Sequence, residues 1–133
     1  MRSRVKKEKI SDNSRTRRSG DNIMFTIEFI KKFGVGLFYA GPIVLFLIAL
    51  IGSLGLLVGK REGWKPIDSL YYAFITATTV GYGDYHPKTT GSKFIAIGIA
   101  FVGLLLTGIV VAIGVQAAMI AFEQIYVVPA IAN

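Results

Sequence analysis

The chain has no cysteine, one histidine and one tryptophan among its 133 residues. Without cysteine there is no disulfide, no thiolate metal site and no cysteine nucleophile. The lone histidine, His86, has only Glu62, Asp68 and Asp84 as carboxylates in the same stretch. That set holds no nucleophile–base pair, so the sequence reads as a non-enzyme with no organic cofactor. Charge is absent from two long runs, residues 33–59 (27 in a row) and 94–122 (29 in a row). A membrane-crossing helix needs roughly 20 apolar residues, so both runs qualify and no run of this kind remains for a third span.

What is present is unevenly placed. Ten of the 15 Lys and Arg precede the first span (Arg2, Arg4, Lys6, Lys7, Lys9, Arg15, Arg17, Arg18, Lys31, Lys32) and five lie between the spans. The bias of positive charge to the cytoplasmic side sets the N-terminus inside, and two spans return the C-terminus there. The apolar run is far longer than the roughly 7–15-residue core of a signal peptide, which excludes that reading. Residues 1–22 read as a disordered basic arm, a topology signal that rests on anionic lipid. Its charges have no aromatic residues among them, so nucleic acid is not the expected partner. Residues 23–33, "IMFTIEFIKKF", suit an amphipathic helix in the membrane interface, with a cytoplasmic extension of the first helix as the alternative.

The stretch between the spans carries the information. In "GKREGW", Trp64 reads as an interfacial anchor. "PIDSLYYAFITATT" is a short helix, about 67–78, capped at Asp68 or Ser69 and too short to span. The glycine loop "TVGYGD" follows at once, then Pro87. Irregular backbone at membrane depth is tolerated only where it is buried in protein or lines water, which implies a re-entrant, pore-lining segment. Gly81 and Gly83 accept positive φ, and alternating such residues with Val80 and Tyr82 turns successive carbonyls to one side. Thr79 adds a hydroxyl oxygen. Hard cations take about six to eight oxygen ligands, more than one chain supplies, so the loop requires a ring, most simply a C4 homotetramer.

"TATTVGYGD" resembles the signature of potassium channels, and span, short helix, signature and span occur in the order found in that family. The resemblance covers about residues 35–122 and implies an all-α membrane protein of the two-span, pore-only, prokaryotic type. It implies an outer helix at about 35–59, a pore helix at 67–78, a filter at 79–83, an inner helix at about 92–125 and a short cytoplasmic tail at 126–133. The pore domain as a whole is then 34–125, in the plasma (inner) membrane. K⁺ ions would bind the Thr79 hydroxyl and the carbonyls of Thr79, Val80, Gly81 and Tyr82, while Gly83 lets the chain leave the axis. Tyr71 would hold Asp84 from behind, and Tyr72 or Thr76 would tie the Tyr82 hydroxyl. Some relatives carry a glutamate where this chain has Ile75, so that carboxyl partner of Asp84 is missing here. Gly103 matches the inner-helix hinge, with plain helix packing as the alternative. Leu104, Thr107, Val111 and Val115 share a face and would line the cavity, and His86 would stand at the outer mouth. The implied partners are K⁺, lipid and three further copies of the chain.

Overall fold

Pro66 fixes where the short helix starts. Its ring sets φ for a first helical position, and Lys65 before it is held extended at φ −67° and ψ 151°. In the computed structural model, which describes residues 2–131 and the side chains of 20–128 and 131, this helix is α2 (Pro66–Ala77). It stands between two long helices, α1 (Arg2–Glu62) and α3 (Thr90–Phe122). A π-helical stretch, Glu123–Val127, and a last turn, α4 (Val128–Ile131), complete the chain, with no strand among the described residues. Stretches long and apolar enough to cross a membrane lie within Gly20–Glu62 and Thr90–Val127. The protein is therefore an all-helical membrane protein with two spanning helices.

Several boundaries differ from expectation. The sequence separates a disordered arm (1–22), an interfacial helix (23–33) and an outer helix from 35, whereas α1 runs through all three without a break. A lone glycine costs a helix only about 1 kcal/mol, so Gly34 and Gly36 do not interrupt it. No proline precedes Pro42. The cap of α2 is Lys65 rather than Asp68 or Ser69, because Pro66 takes the first helical position; Ser69 instead donates its hydroxyl to the Lys65 carbonyl at 2.9 Å. The tail expected at 126–133 stays helical to Ile131. Met1 of the arm and residues 132–133 of the tail lie outside the described residues.

The chain divides into two compact units, Phe38–Ala112 and, separately, Met1–Leu37 with Ile113–Asn133. Inside the first unit, Ile51, Val58, Tyr72, Ala73, Ala77 and Ile99 form the core, with Leu54, Trp64, Tyr85, Ile95 and Val102 against it. Lipid is as apolar as leucine, so this core is held by close contact and not by escape from water. Glycines make that contact possible. A Cβ on Gly55 would lie 2.9 Å from the Ser69 carbonyl oxygen and would strike Ala73, and one on Gly59 would strike Ser69. On the opposite side, a Cβ on Gly103 would sit 2.6 Å from the Ala77 carbonyl carbon. Thus α2 is seated between a glycine face of α1 and a glycine of α3. In the second unit, Phe25, Phe29 and Phe33 stack along α1 with centroids 6.4 and 5.9 Å apart. Ala117 and Ala121 are its buried small residues.

Candidate functional site

The loop after α2 is built on the last turn of that helix. Helix C-termini leave carbonyls without partners, and here the loop's own amides supply them. Thr78 donates its amide and hydroxyl to the Phe74 carbonyl at 2.9 and 2.8 Å. Thr79 N–H reaches the Thr76 carbonyl at 3.1 Å. Val80 and Gly81 both donate to the Ile75 carbonyl, at 2.9 and 3.1 Å. Successive amides of the loop thus point back at the helix.

Backbone dihedrals complete the pattern. Positive φ occurs at Thr79 (62°), Gly81 (54°) and Gly83 (82°), and not at Val80 or Tyr82. Alternation of this kind is the backbone condition under which consecutive carbonyls can turn to one side. A Cβ at Gly81 or Gly83 would touch nothing within the chain, so it is the φ value and not space that demands glycine there. Thr79 has a β-branched side chain in the left-handed region, a rare conformation that costs on the order of 1–2 kcal/mol. Such strain persists where the surroundings over-determine it, typically at functional sites. Among the described residues, no protein donor bonds the carbonyl of any residue from 79 to 83. All five residues are exposed in the single chain.

The other expected site residues fall as follows. Asp84 accepts a hydrogen bond from the Tyr85 amide at 3.0 Å, and the Tyr71 phenol lies near enough to interact with its carboxylate. Tyr72 is buried and its hydroxyl pairs with Thr76 of the same helix. The structure does not bring Tyr82 to that pair within one chain: Tyr82 is 72% exposed, and Val80 is 52% exposed. Leu104, Thr107, Val111 and Val115 of α3 are all exposed. Gly103 is seated on the Ala77 backbone, and that crossing accounts for the glycine without any bend. His86 is exposed beyond Asp84.

Three residues around the loop were not read from the sequence as part of the site. Trp64 packs edge-on against Tyr72 and Tyr85, each with centroids 5.2 Å away. Tyr85 also meets Tyr71 at 6.2 Å. A hydrogen bond to Asp68, then desolvation, pushes the Tyr85 phenol above its ordinary value. Glu62, three residues past the charge-free run, accepts the amides of Lys88 (3.0 Å) and Thr89 (3.1 Å) and the Thr89 hydroxyl (2.7 Å). Those bonds, that of the Thr89 hydroxyl first, hold its carboxyl at about 2, well below the ordinary 4.5. Glu62 is the one acidic residue in "GKREGW", which was the available signal.

Comparison with known families fits this arrangement. The family model described as "Ion channel" matches residues 36–119, which takes in the second part of α1, α2, the loop and most of α3. The chain belongs to the ion channel family. The chain is 42% identical over 64 residues to "Potassium channel protein 1" of Methanocaldococcus jannaschii, covering 48% of this chain and 19% of that protein. It is 36% identical over 75 residues to "TWiK family of potassium channels protein 7" of Caenorhabditis elegans, covering 56% of this chain and 14% of the relative. With "Potassium channel subfamily K member 2" of Rattus norvegicus it shares 41% over 63 residues, 47% of this chain and 12% of the relative. The chain therefore spans about a fifth or less of the length of these relatives. No solved structure matches it.

Proposed function

We propose that the protein is a potassium-selective channel that conducts passively through a homotetrameric pore, with residues 79–83 as its filter. One observation carries this reading: the alternating positive φ at Thr79, Gly81 and Gly83 with five unpartnered carbonyls and the amides of Val80 and Gly81 turned back on Ile75. A row of neutral oxygens aimed one way replaces the hydration shell of a desolvated cation. One chain gives about one oxygen per layer, and four around an axis give about eight per pair of layers, a number within the range hard cations take. The exposed Val80 and Tyr82 support the ring as well, since a neighbouring subunit would cover both and give the Tyr82 hydroxyl its partner. The carbonyl end of α2, with no basic residue in its last turn, aims a partial negative charge toward the cavity below the filter. Leu104, Thr107, Val111 and Val115 line that cavity, wetting it with one ring of hydroxyls and binding the ion only weakly.

Asp84 is braced by Tyr71, and K⁺ is the only cofactor. The basic arm places both termini in the cytoplasm and the channel in the plasma membrane. Purified protein in liposomes tests the reading. K⁺ flux should greatly exceed Na⁺ flux, fall on addition of Ba²⁺, a divalent ion close to K⁺ in size, and come from particles with the mass of four chains. Protein that inserts and passes no ion would favour a membrane-anchored binding protein.

A further inference from the structure

The unit of residues 1–37 and 113–133 holds a groove of about 240 Å³ between α1 and α3. Its apolar wall includes Val35, Gly36, Ile113 and Ile120, and its two polar members are Lys32 and Gln116. Helix contacts set the level of those two. Gly36 lies against the Ile113 side chain, and a Cβ on Gly114 would sit 3.8 Å from the Phe33 ring. Further along, Asn22 and Phe25 share a second groove with Phe122 and Tyr126, so the helices run antiparallel here. That register brings Lys32 level with Gln116. One cation and one amide thus stand together in a groove that is otherwise apolar.

Two neighbouring lysines differ in their partners. Lys31 is paired with Glu28 at 3.1 Å, whereas Lys32 makes no ion pair among the described residues. Depth follows from the sequence. Lys32 is the last charge before the charge-free run 33–59. A helix of that length rises about 40 Å, the thickness of a bilayer with its headgroups. Lys32 therefore stands at headgroup level in the leaflet on the N-terminal side, and Val35, Gly36 and Ile113 lie on its hydrocarbon side. The groove's volume narrows the class of occupant. Pockets that enclose a compact ligand run roughly 300–1,000 Å³, so this smaller one suits a thin part of a longer molecule.

We propose that the groove holds one acyl chain of an anionic phospholipid, whose phosphate sits on Lys32 Nζ and the Gln116 side-chain amide. Lys32 supplies a charge-assisted hydrogen bond and Gln116 a neutral one, both donated to phosphate oxygens. A zwitterionic lipid carries its own cation beside the phosphate and gains less from Lys32. The acyl chain runs along Val35, Gly36 and Ile113 and packs α1 to α3, where the Gly36 contact alone is to a side chain that can turn away. The lipid is thus a packing element of this unit and not only part of the surrounding bilayer.

The test uses the full chain in detergent micelles, with phosphatidylglycerol as the probe and phosphatidylcholine as its zwitterionic counterpart. Native mass spectrometry counts lipid retained, and thermal unfolding reports stabilisation. Wild type should retain about one phosphatidylglycerol per chain and unfold at a higher temperature as that lipid is added, with little response to phosphatidylcholine. Lys32→Gln should weaken retention about tenfold, and Lys32→Arg, which keeps the charge, should preserve it. Lys31→Gln removes the same charge one residue away and outside the groove, and should change retention less than about twofold. Val35→Trp, which fills the groove from an exposed position, should abolish retention with Lys32 in place. If that variant does not assemble, Val35→Phe should give a smaller loss of the same sign. Equal losses in Lys31→Gln and Lys32→Gln would reduce the site to diffuse surface charge and overturn the proposal. So would phosphatidylcholine held as firmly as phosphatidylglycerol, or a free fatty acid held more firmly than either. Retention unchanged in Val35→Trp, with the assembly split, would assign the groove to a second copy of the chain and also overturn it. None of these readouts involves ion flux, so the site stands or falls apart from the channel reading.

Discussion

The unit that carries residues 79–83 and the unit of residues 1–37 and 113–133 differ in what their glycines touch. In the first, Gly55 and Gly103 lie against backbone atoms of α2, and Gly63, Gly81 and Gly83 hold positive φ. In the second, Gly20 and Gly34 face open space, while Gly36 and Gly114 meet only the side chains of Ile113 and Phe33. Backbone against backbone has no rotamer with which to yield, whereas a side-chain contact yields by turning. The unit that carries residues 79–83 is therefore held by main-chain contacts, whereas the glycine contacts of the other unit are ones a side chain can relieve.

The comparison is broken most severely at Gly81. Gly81→Ala places a Cβ in a left-handed conformation at about 1 kcal/mol or more per chain. Selective K⁺ flux should be lost while the protein still inserts; retained selectivity would refute the carbonyl row. Next in size is a matched pair of glycines, one from each unit. Gly103→Ala drives a methyl into Ala77 and should cost about 1–3 kcal/mol per subunit by overpacking, seen as a lower thermal midpoint of the assembled protein and reduced flux. Gly34→Ala meets nothing and should leave the midpoint unchanged or raise it slightly, since alanine favours helix by about 1 kcal/mol. Equal effects would erase the distinction between the units.

A smaller effect concerns acid. The Glu62 carboxyl is held at about 2 against an ordinary 4.5, so its grip on Lys88 and Thr89 is complete above about pH 4.5 and is lost as pH falls toward 2. Protection of the 85–89 amides against hydrogen exchange, taken relative to their intrinsic exchange rates, should then be indifferent to mild acid and fall only below about pH 4.5. An acid step near neutrality that persists in Glu62→Gln would assign the response to another group. The smallest effect is expected from removing residues 2–21, which belong to the unit without the filter. Membrane orientation should suffer, and the K⁺ over Na⁺ preference of correctly inserted channels should not change.

Much of this was legible in the sequence because membranes permit few solutions. Two charge-free runs had to be helices, and a proline followed by a short apolar stretch and "TVGYGD" had few other uses. Gly81 and Gly83 were readable as positive-φ residues, yet Thr79 was not, since threonine rarely adopts that conformation. Only its place in the alternation, two before Gly81, carried that information. The seating of Gly55, Gly59 and Gly103 was visible as small residues, but not which helix they would meet. The contacts of Trp64 and Glu62 were not legible because their partners, Tyr85, Lys88 and Thr89, lie more than twenty residues away in the sequence. Breaks at 22–23 and 33–35 were inferred from changes of composition, which alter what surrounds a helix without ending it.

The central claim is that the oriented carbonyls of residues 79–83 select K⁺. The most direct measurement is the reversal potential of single wild-type channels with K⁺ on one side of the bilayer and Na⁺ on the other. The account predicts a potential displaced toward K⁺ by a permeability ratio well above about tenfold, or about 1.4 kcal/mol of discrimination. A potential at zero in channels that open and pass current would contradict it.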